Sequence, residues 1–337
     1  MVTLKDVALE AGVSPATVSY ALRGGEHVSQ STMLRIEAAT KKLNYRINQT
    51  ARNLKRGRTG VIEVGVHEFD EPFYSRYADA VVDRIAASDY QALVVKASTS
   101  EGTMREAVSY LADQPCDGLI THVVYLKASE LKRLSLGKPV VLIDDFSKKL
   151  AFDTVIVNGC EGIRMATRHL IERGCRNIAM VGGAYAPIDK LSLVDSKSLR
   201  VRGFASAMME AGLPYTPAQM YDAAWTTYPG REAALRIIRD GMPFDGIVCA
   251  TDQLAVGLIR GFADKGISLP AAVKITGFDG ISLGQYTVPS LTTVSVNITD
   301  FADKAVSMLI ERIEKTYDGE PRCVEAKLDL VVRESSQ

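Results

Sequence analysis

From Thr59 onward, short apolar runs alternate with amphipathic stretches, and this alternation restricts the chain more than any other feature. Residues 61–67, 92–96, 118–121, 140–144 and 155–158 read as strands, with helices over 73–88, 101–113 and 127–135. A second set follows: helix 162–173, strand 178–181, helices 198–212 and 230–240, strand 246–250, helix 252–265 and strand 273–276. Strands separated by helices cannot pair as hairpins; they line up in parallel, with the helices as crossovers covering the sheet. The order implies an α/β architecture with two parallel sheets, and no low-complexity run or short tandem repeat separates them.

The chain has 337 residues, 47% of them apolar and 24% charged, the profile of an ordinary soluble protein of about two domains. Uninterrupted apolar runs such as 92–95 and 140–143 fall far short of the roughly 20 residues that a membrane helix needs, so no membrane partner is expected. The opening Met-Val-Thr-Leu-Lys-Asp-Val has no charged segment leading into an apolar one and a small-residue cleavage site, so secretion is not expected. Five cysteines, odd in number and never spaced C-x-x-C, argue against a disulfide framework and a zinc site and suggest free thiols in the cytoplasm. His27, His67, His122 and His169 lack metal-ligand spacing. G-x-S-x-G, G-x-x-x-x-G-K-[ST] and H-E-x-x-H are missing, and Gly182-Gly183 falls short of a dinucleotide fingerprint. Neither a cofactor, a metal nor a catalytic residue is therefore expected. A sugar-modifying or nucleotide-using α/β enzyme and a transport solute-binding protein are the alternatives from other classes.

Charge is balanced over the chain but not along it. Residues 1–60 carry ten Lys/Arg and four Asp/Glu, so a basic segment precedes a mildly acidic body, as an electrostatic footprint on phosphates would require. Within that segment Thr3 and Asp6 read as a helix start, and Leu4, Val7, Ala8 and Ala11 share one face up to Gly12. Ser14 and Pro15 open a second helix with Val18 and Leu22 on its buried side. Ser29 opens a third, whose Met33, Ile36, Ala39/Thr40 and Leu43 can close a small core. Two short helices across Ala11-Gly12-Val13 make a helix-turn-helix.

These residues resemble a family. Val2 through Ala8, Ala11-Gly12-Val13-Ser14-Pro15-Ala16-Thr17-Val18-Ser19, Val28-Ser29 and Leu43-Asn44-Tyr45 are similar to the headpiece of the lactose-repressor/galactose-repressor (LacI/GalR) family of bacterial transcription regulators. The resemblance implies a homodimer on double-stranded operator DNA, with the second helix in the major groove and a hinge helix in the minor groove. Thr3, Ser14, Pro15, Ala16, Thr17, Ser19, Tyr20 and Arg23 are then the headpiece contacts. Pro15 and Ala16 offer bases only apolar contact, so polar base readout falls to Tyr20, where the family often has Arg, while Thr17 and Ser19 suit phosphates. Arg23 stands where the family often has Asn. Asn48, Ala51, Leu54 and Lys55 match the hinge pattern, with Leu54 as the apolar wedge at a base step.

The resemblance divides the chain into a headpiece at 1–47, a hinge at 48–58 and a two-lobed effector domain at 59–337 of the periplasmic-binding-protein kind. Lobe 1 is expected over 59–158 and 292–320, and lobe 2 over 162–290 and 322–337. Ligands of such sheets bind at the carboxyl ends of strands, here a cleft between the lobes. Arg200 in Arg200-Val-Arg-Gly203-Phe204 and Asp279 in Gly277-Phe278-Asp279 match the family's effector contacts. Thr251 stands where the family has Asn, Asp145 or its neighbour Asp144 follows the fourth strand, and Phe73, Tyr74 and Trp225 offer aromatic walls. An aromatic face beside carboxylates and a guanidinium suits a sugar or sugar derivative as effector. The other reading of Arg200 and Asp279 is an ion pair between lobes, and of Trp225 a place in the core.

Overall fold

The computed structural model describes residues 2–22, 28–45, 58–97, 116–122 and 126–337, in two units, Met1–Gly60 and Val61–Gln337. In the first unit α1 (Leu4–Ala11), α2 (Pro15–Ala21) and α3 (Gln30–Lys42) each start at a hydroxyl cap. Thr3 and Asp6 form a reciprocal capping box, Ser14 Oγ accepts from Thr17 N at 3.1 Å, and Ser29 Oγ accepts from Thr32 N at 3.3 Å. Gly12 ends α1 at a φ of +63°, a left-handed turn that favours glycine. Val7, Ala8, Ala11, Val18, Ala21, Ile36 and Ala39 form the core, and Leu4, Leu22, Met33 and Leu43 pack around it.

The second unit contains two six-stranded sheets. Along the chain run β1 (Val61–Val66), α4 (Pro72–Ala86), β2 (Gln91–Lys96), β3 (Gly118–Thr121), α5 (Ala128–Leu134), β4 (Val140–Ile143) and β5 (Asp153–Ile156). Next come α6 (Gly159–Glu172), β6 (Ile178–Val181), α7 (Ser196–Glu210), β7 (Met220–Tyr221), α8 (Thr227–Arg239), β8 (Gly246–Cys249), α9 (Asp252–Ala263) and β9 (Lys274–Asp279). Finally β10 (Thr292–Val296), α10 (Ile298–Glu314), β11 (Cys323–Glu325) and β12 (Leu328–Val331) complete the unit. The first sheet has the order β11-β5-β4-β3-β1-β2 and is parallel throughout; the second, β12-β10-β9-β8-β6-β7, is parallel except for β12. The predicted helix 101–113 lies outside the described residues.

Three segments cross between the sheets, and two of them are built alike. Asn158 and Asn297 each follow a strand, take nearly the same φ/ψ (−72°/78° and −71°/91°) and cap the next helix by accepting from a backbone N–H at 3.0 Å. Asn297 N also donates to Lys327 O in the third crossing at 2.9 Å, and Asn158 Nδ2 donates to Glu325 Oε2 at 3.1 Å. Crossing at Asn297 corrects the expected lobe boundaries. Residues 292–296 pair with β9 and stay in the second lobe, whereas Cys323–Glu325 pair with β5 and belong to the first. Strand β5 also begins two residues earlier than expected, at the buried Asp153, which is paired with Arg312 and Arg322.

Glycines set the spacing of two helix pairs. A Cβ on Gly203 of α7 would collide with the carbonyl oxygen of Cys160 in α6, and one on Gly257 of α9 with that of Thr227 in α8. The glycine of Arg200-Val-Arg-Gly203-Phe204 therefore permits close helix packing, and Phe204 beside it is fully buried.

Glu63, on β1 beside the edge strand β2, is a local cost. It is fully buried, neither carboxylate oxygen has a hydrogen-bond partner among the described residues, and burial raises its pKa to about 7 against the opposing pull of Lys138. The folded chain thus holds a proton there that the unfolded chain releases, so stability falls as pH rises from about 4.5 through 7. Glu63→Met should be more stable than wild type at pH 8 by about 1–3 kcal/mol, the scale of an unsatisfied buried group, with the gain shrinking toward pH 4.5. Urea denaturation at both pH values checks this, and equal gains at both would refute it.

Candidate functional site

In the first unit, the face of α2 turned away from Val18 and Ala21 carries Pro15, Ala16 and Tyr20, all exposed, with Thr17 and Ser19 partly so. Tyr20 is 47% exposed despite its aromatic ring. The Ser14 and Thr17 hydroxyls lie 2.8 Å apart, so the residues that start the helix are also held together at its exposed end. Thr3 is exposed at the start of α1, with its hydroxyl donating to Asp6 Oδ2 at 2.8 Å. Arg23, Asn48, Ala51, Leu54 and Lys55 lie outside the described residues.

In the second unit a cavity of about 600 Å³ opens between the lobes. The first lobe supplies Tyr74 from α4, His122 after β3, Leu126, the α5 residues Ala128 and Leu131, and Asp144 and Asp145 after β4. The second lobe supplies Asp195, Ser196 and Lys197 at the start of α7, then Ala223, Ala224 and Trp225 after β7. Of the expected effector residues, Tyr74, Asp145 and Trp225 line this space. Phe73 packs beside Tyr74 with ring centroids 5.7 Å apart, and its N–H donates to Glu71 Oε2 at 3.2 Å. Thr251 caps α9, its Oγ1 accepting from Leu254 N at 3.3 Å.

Arg200 and Asp279 stand one layer behind the wall. They come from α7 and the end of β9, so the pair lies within the second lobe and not between lobes, 3.2 Å apart and nearly buried. The guanidinium also donates to Ala250 O and sits between the rings of Trp225 and Phe278, at 4.3 and 4.2 Å from their centroids. Trp225 is fixed from its other end, because Nε1 donates to Gly182 O at 2.8 Å. Burial pushes the Asp279 carboxyl well above its ordinary range, and Arg200 is the main force against it.

Sequence reasoning missed His122, Asp195 and Lys197, and gave Asp144 only as an alternative. His122 Nδ1 lies 2.6 Å from His67 Nε2, and burial, with His67 second, depresses the His122 pKa to about 3. Asp144 has a φ of +55°, unusual without glycine, and Oδ1 accepts from Val157 N at 2.7 Å. Burial raises its pKa to about 6. Both residues follow the carboxyl end of a strand, a position that would have found them. Two contacts join the lobes nearby: Arg76 Nη1 donates to Gly280 O at 2.5 Å, and Gln253 Nε2 donates to Glu71 Oε1. Among the described residues no His/Cys/Asp/Glu group is placed to hold a metal, and no helix is long and apolar enough to cross a membrane.

Comparison with known proteins places two family matches on the chain. Residues 3–48 match the family described as bacterial regulatory proteins, lacI family, and residues 167–336 a periplasmic binding protein-like domain. Similar proteins include the HTH-type transcriptional repressor PurR of Actinobacillus pleuropneumoniae serotype 5b, 30% identical over 99% of this chain and 98% of its own. The HTH-type transcriptional regulator RegA of Clostridium saccharobutylicum is 29% identical over 99% of both. Among solved structures, the lac repressor dimer bound to operator and the anti-inducer ONPF superposes with a TM-score of 0.80 at 24% identity, covering 99% of both chains. The transcriptional regulator CelR–cellobiose complex does so with a TM-score of 0.70 at 25% identity, covering 99% of this chain and 100% of that one. On this evidence of sequence and fold together, the chain belongs to the lacI family of bacterial transcriptional regulators, which join a DNA-binding helix-turn-helix unit to an effector-binding domain.

Proposed function

We propose that this regulator is a cytoplasmic repressor of carbohydrate-utilisation genes that binds a pseudo-palindromic operator as a homodimer and is switched by a sugar or sugar derivative between its lobes. The observation that carries the reading is the interlobe cavity, with Trp225 and Tyr74 as aromatic walls and Asp144 and Asp145 as acceptors. Apolar ring faces stack against the C–H faces of a sugar while carboxylates accept from its hydroxyls. The CelR structure, whose ligand is cellobiose, supports the same ligand class. Effector residues in this reading are Phe73, Tyr74, Asp145, Arg200, Trp225, Thr251 and Asp279, with Arg200 and Asp279 acting through Trp225. A ligand that binds one lobe arrangement more tightly shifts the protein toward it, and the sign of that preference decides between inducer and corepressor.

On the DNA side, a two-fold protein imposes two half-sites on its operator. The exposed face of α2 enters the major groove, with Thr3, Ser14, Thr17 and Ser19 on phosphates, Pro15, Ala16 and Tyr20 on bases, and Arg23 nearby. Asn48, Ala51, Leu54 and Lys55 then form the minor-groove hinge. Native electrophoresis with operator-length DNA, followed across a salt series, tests this. With six or more basic side chains of the dimer near phosphates, log K should fall against log salt with a slope of roughly −5 or steeper. Tyr20→Ala should reduce discrimination between half-site sequences more than it weakens non-specific binding. A flat salt response or uniform loss on all DNA would reject the assignment. Sedimentation should give a dimer at micromolar concentration, and a stable monomer would contradict the two-half-site geometry.

A further inference from the structure

The charges around the cavity are unevenly divided. Asp144, Asp145 and Asp195 line it, and Lys197 lines it too, but Lys197 Nζ lies 2.5 Å from Asp222 Oδ1 and is already compensated. Arg200 does not line the cavity: behind its wall, Nη1 and Nη2 are committed to Ala250 O and Asp279 and the guanidinium is enclosed by two rings, while its buried Nε has no hydrogen-bond partner among the described residues. His122 adds no positive charge, since burial against His67 keeps it neutral. The carboxylates are fixed in place: Oδ1 of Asp144 accepts from Val157 N, Oδ1 of Asp145 from Ser147 N, and Oδ1 of Asp195 from Ser198 N.

An anion entering this space gives up water and meets carboxylates without an uncommitted cation among the described lining residues. A hydroxyl-rich neutral molecule meets acceptors for its O–H groups and aromatic walls for its C–H faces. Resting on the reading of this cavity as the effector site, we infer that it takes an uncharged or cationic hydroxyl-bearing ligand and turns away anions, so that the effector is neither a phosphorylated sugar nor a sugar acid.

Trp225 is the single tryptophan of the chain and lines the cavity, so collisional quenching of its fluorescence reads the approach of small ions to that wall. Quenching of the full chain by iodide, caesium and acrylamide, each normalised to N-acetyltryptophanamide at matched ionic strength, reads the local potential without any effector. The iodide constant should fall roughly threefold or more below the caesium constant, and Asp144→Asn/Asp145→Asn should narrow the gap. Iodide reaching Trp225 of the wild-type chain as readily as caesium would overturn the inference. Titration of glucose, cellobiose and xylitol beside glucose 6-phosphate and gluconate adds a second arm. A response to glucose 6-phosphate or gluconate that glucose does not match would overturn it equally. By contrast, a compound that alters operator binding, leaves Trp225 emission unchanged and keeps its affinity in Trp225→Phe would overturn the effector-site reading while the quenching result stands.

Discussion

Asp153→Ala is expected to destabilise the effector domain by about 3–5 kcal/mol at pH 7, because it removes the shared partner of two guanidinium groups inside the first lobe. The carboxylate is fully buried, and it accepts from Arg312 Nε and Nη2 at 3.0 and 2.9 Å, from Arg322 Nη2 at 2.9 Å and from Arg322 N at 2.8 Å. Arg312 belongs to α10, and Arg322 precedes β11, so one side chain ties both returning segments to β5. Both guanidiniums also stack on Tyr317, at 4.5 and 3.9 Å from its centroid. Without Asp153, Arg322 keeps Glu311 but Arg312 keeps only the carbonyls of Gly319 and Glu320, so one guanidinium charge near that ring is left uncompensated. The melting temperature should drop by something on the order of 10 °C, and Asp153→Asn, which keeps the shape and loses the charge, should fall between. Calorimetry of the three proteins decides, and a loss below 1 kcal/mol in Asp153→Ala would show that the guanidiniums find equivalent partners in water.

The pH dependence of that contribution has the opposite sign to that of the acids whose pKa burial raises. Burial pushes Asp153 upward, but the bonds from Arg312 and Arg322 outweigh it and hold the carboxyl below its ordinary value of 3.8. Its contribution is therefore present above pH 3.8 and lost as pH falls below it. Glu63 and Asp252, raised by burial to about 7, and Asp144, raised to about 6, lose stability as pH climbs from about 4 through those values. For these groups the two trends together place the maximum near pH ~4, where the Asp153 contribution is still present and the loss from the raised acids has barely begun.

Much of this architecture was legible in the residues. The caps Thr3, Ser14 and Ser29 and the left-handed Gly12 are local signals, and local signals survive folding. Apolar runs such as Ile178–Val181 are buried along their whole length in a parallel sheet and announce themselves by composition alone. Sheet membership is another matter. Residues 292–296 were expected only as part of the return to the first lobe, whereas the lobe they join depends on pairing with β9, some fifteen residues earlier, and on the buried Ser335 and Ser336 that bond Thr292. Strands β11 and β12 carry no long apolar run, because each lies at a sheet edge. The site shows the same limit. Tyr74, Asp145 and Trp225 were identifiable, whereas Lys197 and Asp195 reach the cavity only because α7 begins there, and the partner that commits Lys197 is 25 residues away in sequence.

Arg200→Ala should have two separable effects, one on stability and one on the proposed effector. Removing the guanidinium strands Asp279 in a nearly dry site and should cost about 3–5 kcal/mol at pH 8. Asp279 is already pushed upward by burial with Arg200 as its main opposing force, so in the variant the carboxyl stays protonated to higher pH. A raised folded pKa means stability that is lost as pH rises, so the variant should be less impaired at pH 5 than at pH 8. Arg200→Ala/Asp279→Asn removes the stranded charge and should recover much of the stability while flattening this slope. Effector binding should not recover, because the ring of Trp225 loses the cation that stacks on it in both proteins. Affinity for an effector found by thermal-shift screening should fall about ten- to a hundredfold in both, equivalent to about 1.4–2.7 kcal/mol. Operator binding without effector should survive in the double variant, since the pair enters the switch only through the ligand's unequal affinity for the two lobe arrangements. Denaturation at pH 5 and 8, with calorimetry on the double variant, separates these effects. Wild-type effector affinity in the double variant would confine Arg200 and Asp279 to holding the lobe together, and pH-independent destabilisation of Arg200→Ala would show that the lost packing on Trp225 and Phe278, not the charge on Asp279, sets the cost.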